Sequence, residues 1–205
     1  MKKGLFITFE GPDGSGKSTQ IDKLKIFLKE KGYNAVITRE PGGTTISEKI
    51  REIILDKENV EMDYMTEALL YAASRAQHVA QLIKPALESG RTVICDRFMD
   101  SSIVYQGYGR KLGESVTIIN EFAVRGCLPD ITFLFKVDPQ IGKLRINIEE
   151  QDRLDLEKIE YHNEVFQAYI ELEKLYPDRI IGIDAGKSIE EISLEIQCHI
   201  ERILM

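Results

Sequence analysis

Gly11-Pro12-Asp13-Gly14-Ser15-Gly16-Lys17-Ser18-Thr19 lies between an apolar run, Leu5 to Phe9, and a helical pattern that begins near Lys17. It fits G-x-x-x-x-G-K-[ST] without a gap, and strand, loop and helix follow in the order the motif requires. The glycines let the backbone turn tightly and aim successive N–H groups inward, while the following helix presents its positive end. Gly11, Asp13, Gly14, Ser15, Gly16, Lys17, Ser18 and Thr19 therefore form the expected cradle of a nucleoside triphosphate. Lys17 is expected to meet the outer phosphates and Ser18 a magnesium ion. The loop alone leaves open which group receives the phosphate.

The chain has 205 residues, enough for one well-buried α/β domain spanning 1–205, and no flexible Pro/Ser-rich linker divides it. Its 27 basic and 34 acidic residues give a net charge of −7, which disfavours a surface that gathers nucleic acid through counterion release. Cys95, Cys127 and Cys198 are widely separated and show neither a CxxC nor a Cys/His ligand spacing. That argues against a disulfide framework or a zinc site and fits a reducing cytoplasm. The charged start, Met1-Lys2-Lys3, precedes an apolar run too short for a secretory core and cut off by Glu10. No stretch approaches the length of a membrane span.

Leu5 to Phe9 suits a strand buried on both faces. Ile21, Leu24 and Leu28 recur at helical spacing until Gly32. A second strand, Ala35 to Thr38, leads into the rigid turn Arg39-Glu-Pro-Gly-Gly-Thr44, and Ile46 to Leu55 reads as a helix carrying Arg51 on its polar side. From Asp63 to Glu88 runs the longest helical pattern, which Pro85 should kink or end. Thr92 to Cys95 is a buried strand closed by Asp96-Arg97, where α/β sheets keep ligands. Ser101 to Tyr108 reads as a short helix or turn and Glu114 to Arg125 as an amphipathic helix. Ile131 to Phe135 is a fourth strand, Gln140 to Asn147 a helix, and Glu149 to Asp155 a polar connection. A helix from Glu157 to Leu175, a strand from Arg179 to Ile183 and a final helix striped by Ile189, Ile192, Ile196, Ile200 and Ile203 complete the chain. Strands alternating with helices predict a five-stranded parallel sheet covered on both faces.

A regulatory GTPase would also carry an Asn-Lys-x-Asp base-reading run, which does not occur. Cations stand at strand ends and loops instead. Arg39 and Arg97 follow strands on the side of the phosphate loop, where they are able to clamp a second phosphate in front of the first.

Phe9-Glu-Gly-Pro-Asp-Gly-Ser-Gly-Lys-Ser-Thr19, Arg39-Glu-Pro-Gly-Gly-Thr44, Leu70-Tyr-Ala-Ala-Ser-Arg-Ala-Gln-His78, Asp96-Arg-Phe98 with Asp100-Ser-Ser102, Tyr105-Gln-Gly107 and Asp152-Arg-Leu-Asp155 occur in that order. Together they make nearly the whole chain resemble the thymidylate kinases, P-loop enzymes that phosphorylate dTMP with ATP. The resemblance implies the three-layer P-loop NTPase fold with a short lid over about 140–155. It implies that Tyr71, usually Phe in the family, stacks on the thymine ring. Arg75 would contact the base carbonyl, and its i, i+4 spacing puts it on the face of Tyr71. Ser102 and Gln106 match polar positions near the base, Tyr105 one near the sugar, and Asp13 the carboxylate that holds the sugar 3′-hydroxyl. Arg39, Arg51 and Arg97 match the clamp on the acceptor phosphate, with Glu40 helping to arrange it. Asp96 would orient magnesium with Ser18. His78 belongs to the motif but reads as structural. With Gly14 and Ser15 in the loop rather than an arginine, a lid arginine is implied for the donor site. Arg153 is favoured over Arg145 because it lies in the matched Asp-Arg-Leu-Asp run, the alternative being that it pairs with Asp152 or Asp155. Relatives are homodimers, and the apolar breadth of the 63–88 and 114–125 helices leaves room for a buried face. A deoxynucleoside kinase and a binding module without turnover remain the rival readings.

Overall fold

The computed structural model describes residues 4–145 and 152–204. Five parallel strands form one sheet in the order β2-β3-β1-β4-β5: β1 Phe6–Glu10, β2 Ala35–Arg39, β3 Thr92–Asp96, β4 Ile131–Lys136 and β5 Ile180–Asp184. Each runs one residue beyond its predicted carboxyl end. Glu10, Arg39 and Asp96 are thus the last residues of strands, and the chain turns around them into the loops that build the site.

The sheet's two faces are separated by side-chain alternation. On one face Ile7, Phe9, Ile94 and Phe133 pack against Ile21, Leu24 and Leu28 of α1 (Lys17–Glu30) and Ile192, Ile196 and Ile200 of α9 (Ile189–Leu204). On the other, Phe6, Val93 and Cys95 meet a helical layer that includes Val79, Ile83 and Leu87, while Leu134 and Ile180 meet Val165, Ala168 and Leu172 of α8 (Ile159–Leu175). The inner strands β1, β3 and β4 are buried on both faces, as expected for the centre of a parallel sheet, and the edge strands β2 and β5 are partly exposed.

The helix expected over 63–88 is continuous but not uniform. Asp63 caps α3 (Tyr64–His78) by accepting from the N–H groups of Met65 and Thr66. The chain then widens into a π-helical stretch, Val79–Ile83, before α4 (Lys84–Glu88). Pro85, which has no N–H, sits just past that stretch, so the helix neither ends there nor keeps its α-helical turn. The 101–108 region likewise resolves into α5 (Met99–Ser102) and a π-helical stretch, Ile103–Gly109. α2 (Thr45–Leu55) and α6 (Glu114–Val124) pack against α3. Of the expected lid, α7 (Pro139–Leu144) is described, and residues 146–151, including the predicted helix end near Asn147, lie outside the described residues. Among the described residues no helix is long and apolar enough to cross a membrane.

Candidate active site

The loop between β1 and α1 bends through positive φ at Gly11, Gly14 and Gly16. No side chain caps α1, whose N-cap is Gly16 in the left-handed region. Its first N–H groups and its positive end are therefore left for an anion. Ser18 and Thr19 are exposed on the first turn, whereas Ser15 is buried. Lys17 folds back over the loop, its Nζ donating to the carbonyls of Gly11 at 3.1 Å and Pro12 at 3.0 Å. Burial and the nearby Arg97 pull its pKa below the ordinary lysine value. α7 rests directly on this loop: a side chain at Gly14 would strike the carbonyl of Gly142.

In front of the loop lies a cavity of about 400 Å³. Asp13 and Gly14 border it, together with Arg39, Glu40 and Arg51 on one wall and Tyr71, Arg75, Ser102, Tyr105 and Gln106 on another. Asp96 and Arg97 stand between the two walls. Loops after β1, β2 and β3 thus converge at the carboxyl edge of the sheet, as open α/β sheets arrange their ligand crevices.

Arg97 bridges loop and cavity. Its φ of 64° is left-handed, a conformation that costs a non-glycine residue about 1–3 kcal/mol. The backbone is held there by Arg97 N–H donating to the Phe9 carbonyl at 2.8 Å. The guanidinium lies 2.9 Å from Asp13 Oδ2, donates to Ser101 Oγ at 3.2 Å and covers the Tyr105 ring. Withdrawal from water raises the Asp13 pKa, but Arg97 and Lys17 overcome this and hold it at about 2. The Asp13 side chain is still 48 % exposed, so water in the cavity screens the pair.

Arg51 donates to the Pro41 carbonyl at 2.9 Å, and Arg39 pairs with Glu48 at 2.9 Å. Burial and the adjacent Arg39 hold Arg51 below the usual guanidinium pKa. Two neighbouring cations at the mouth of a cavity are electrostatically unfavourable until an anion lies between them.

Arg75 is buried to 1 % exposure and almost fully committed. Nε donates to Glu40 Oε2 at 2.6 Å, Nη1 to Ser102 Oγ and Asn120 Oδ1, and Nη2 to the Phe98 carbonyl. A guanidinium has five N–H groups, so one, on Nη2, remains for a ligand. Glu40 also approaches His78 Nδ1 at 2.9 Å, and His78 Nε2 reaches Thr38 Oγ1 at 2.7 Å. His78 and Glu40 therefore brace Arg75 beneath the cavity.

The two lid arginines separate in a way the sequence reading inverted. Arg145 Nη1 donates to the Gly14 carbonyl at 3.3 Å, on the phosphate loop. Arg153 turns the other way, its Nη2 2.6 Å from Glu67 and its Nε donating to the Ile54 carbonyl. It pairs with neither Asp152 nor Asp155 and does not line the cavity. The physical reason is Glu67, a fully buried acid on α3 that needs cations around it.

Glu10 was missed as well. Its Oε1 accepts from the backbone N–H of Phe98 at 2.7 Å and Ser101 at 3.2 Å, and its Oε2 from Ser101 Oγ and Tyr169 OH at 2.6 and 2.7 Å. It pins the start of α5 and hence the turn that carries Arg97. Burial and neighbouring Asp100 push its pKa up to about 7, against Arg97 and these hydrogen bonds. Its place in the Phe9-Glu-Gly run was the available signal.

Two residues fit a magnesium ion. Asp96 Oδ1 is buried without a hydrogen-bond partner among the described residues, and Ser18 stands exposed at the helix start. No group of three or more His, Cys, Asp or Glu that could hold a metal ion on its own exists among the described residues.

A family model for thymidylate kinase matches residues 9–196. The chain is 52 % identical over 196 residues to the thymidylate kinase of Geobacillus thermodenitrificans, covering 94 % of this chain and 87 % of that protein. It is 48 % identical over 201 residues to that of Clostridium novyi, covering 96 % and 98 %. The crystal structure of thymidylate kinase from Ehrlichia chaffeensis superimposes with a TM-score of 0.78 at 33 % identity, over 99 % of each chain.

Proposed function

Since the chain belongs to the thymidylate kinase family, a family of P-loop enzymes, we propose that it transfers the γ-phosphoryl group of ATP to dTMP, giving dTDP and ADP. The observation that carries this reading is the cavity in which a phosphate loop, paired arginines and a base-sized wall of Tyr71, Arg75 and Gln106 face one another.

An oxygen of the dTMP phosphate attacks the γ-phosphorus, and the bond to the β–γ bridging oxygen breaks as ADP leaves. The acceptor monoester has a second pKa of about 6 and is already largely ionised near neutral pH, so no strong protein base is required. Catalysis then rests on holding two anions in line and offsetting their repulsion. Arg39, Arg51 and Arg97 hold the acceptor phosphate. Tyr71 stacks on the thymine, the remaining N–H of Arg75 meets its O4, and Asp13 takes the sugar 3′-hydroxyl beside Tyr105. The N–H groups of the 11–19 loop hold the donor phosphates, and Lys17 leaves the loop carbonyls for the transferred group. Ser18 and Asp96 would hold magnesium, which when bound neutralises charge on the β- and γ-phosphates.

A panel of nucleoside monophosphates with Mg-ATP tests the reading. dTMP is expected to be preferred over AMP, CMP and thymidine, and dUMP to trail by only the 1–3 kcal/mol or so that one methyl is worth. Preference for AMP, CMP or the unphosphorylated nucleoside would sink it. The contact of Arg145 with the Gly14 carbonyl supports Arg145 as the donor-site arginine: Arg145→Ala should lower kcat by at least about tenfold, and Arg153→Ala should instead lower thermal stability with kcat little changed. Equal small kcat effects would refute the assignment.

The free cysteines and the absence of a spanning helix among the described residues are compatible with a cytoplasmic protein acting on small molecules. α3 and α6, packed together, expose Leu69, Ile118 and Phe122, the last 77 % exposed. An apolar strip of this kind suits a second copy of the chain. Light scattering is expected to give twice the 23.4 kDa of one chain, and Phe122→Glu to shift it toward one; a monomeric parent protein would end this part of the proposal.

A further inference from the structure

Glu67 has no place in the mechanism above, yet it is fully buried beside the base pocket. Gln106 Nε2 donates to its Oε1 at 2.9 Å. Arg153 Nη2 donates to its Oε2 at 2.6 Å, and Arg110 reaches both oxygens, at 3.4 Å through Nε and 3.3 Å through Nη2. Arg110 is held in turn by Glu157 at 2.7 Å and lies against the rings of Tyr64 and Tyr161. Two guanidiniums offset the cost of burying the charge, and an ionised carboxylate only accepts hydrogen bonds.

That fact resolves an ambiguity in Gln106. A carboxamide has a donor end and an acceptor end of nearly the same shape, and its orientation follows from its partners. Arg75 in the same wall has no such freedom, because a guanidinium only donates. With its amide nitrogen bonded to Glu67, Gln106 is left with Oε1 as the end available to the cavity that it lines. The wall then presents a donor from Arg75 beside an acceptor from Gln106. A thymine or uracil edge, with O4 accepting and N3–H donating, matches that pair. A cytosine edge, with N4–H₂ donating and N3 accepting, opposes it at both positions.

We propose that Glu67 is a positioning residue that sets base selectivity by fixing the orientation of the Gln106 amide; this rests on the dTMP reading given above. Glu67→Gln replaces an obligate acceptor by a group able to donate or accept, so Gln106 becomes free to turn. The ratio of kcat/KM for dTMP over dCMP is expected to fall at least about tenfold, because a site built around specific polar groups loses discrimination when they are no longer fixed. Arg153→Met removes another Glu67 partner without touching Gln106, and is expected to lower the melting temperature while leaving the ratio unchanged. A ratio in Glu67→Gln within about threefold of the parent, or a ratio that falls equally in Arg153→Met, would overturn the proposal. Should Glu67→Gln not fold, the side-chain ¹⁵N–¹H signals of Gln106 in the unaltered protein decide it. Slowly exchanging protons that barely shift on dTMP titration support the proposal; contacts from those protons to the thymine ring overturn it. If the unaltered protein shows no preference for dTMP over dCMP, the functional reading fails first and takes this inference with it.

Discussion

Replacing Lys17 by Met is expected to lower kcat by at least about 10³-fold, the scale on which a single cation aimed at a transferring phosphoryl group acts, while calorimetry still detects dTMP binding. The reasoning starts from where the ammonium lies. Lys17 is buried and donates to two loop carbonyls, Gly11 and Pro12, 3.9 Å from Asp13. It is stored at the loop proposed to take the donor, whereas the proposed acceptor clamp consists of Arg39 and Arg97 at or just past the ends of other strands and Arg51 on α2. Removing it should leave Arg39, Arg51, Arg97 and the base wall in place. Loss of dTMP binding together with turnover would mean that the lysine chiefly maintains the loop's shape, and the separation of donor and acceptor machinery would be wrong.

Replacing Arg75 by Met is expected to destabilise the fold by about 3–5 kcal/mol, the range for removing one partner of a buried pair. For a chain of this size that corresponds to a melting-temperature drop on the order of 10 °C. The cause is Glu40, buried to 3 % exposure and left with the His78 ring as its side-chain partner, while Asn120 and the Phe98 carbonyl lose a donor. Adding Glu40→Gln to the variant should recover part of the stability but none of the dTMP affinity. If the double variant is no more stable than the single one, the uncompensated carboxylate is not the source of the loss.

The fold was legible because its signals are local and repetitive. A strand buried on both faces reads as an apolar run, and a helix on one face reads at a spacing of three or four, so all five strands were found to within a residue at each end. The two π-helical stretches were not, since one additional residue per turn leaves a sequence pattern still looking helical. Arg39, Asp96 and Arg97 were legible from their position at strand ends, and the cavity does gather them with Tyr71 and Arg75. Glu67 was not, because nothing in its surroundings in the sequence distinguishes a glutamate buried among donors from one in water, and Glu10 offered only its place in the Phe9-Glu-Gly run. Arg153 was misjudged for the same reason: its direction is dictated by Glu67, which lies 86 residues away in the chain.

The gathering of Arg39, Arg51, Arg97 and Arg145 around one opening also governs how a nucleotide arrives. The molecule as a whole carries −7, so a diffusing dianion meets net repulsion over much of the surface, and the arginines at the opening give it a place where that repulsion is offset. Capture is therefore directional before any base contact forms. With a screening length of about 8 Å at physiological ionic strength, added salt should slow association much more than it speeds release. The net negative charge likewise repels polyanions too wide to enter the opening, since they cannot reach the arginines inside it.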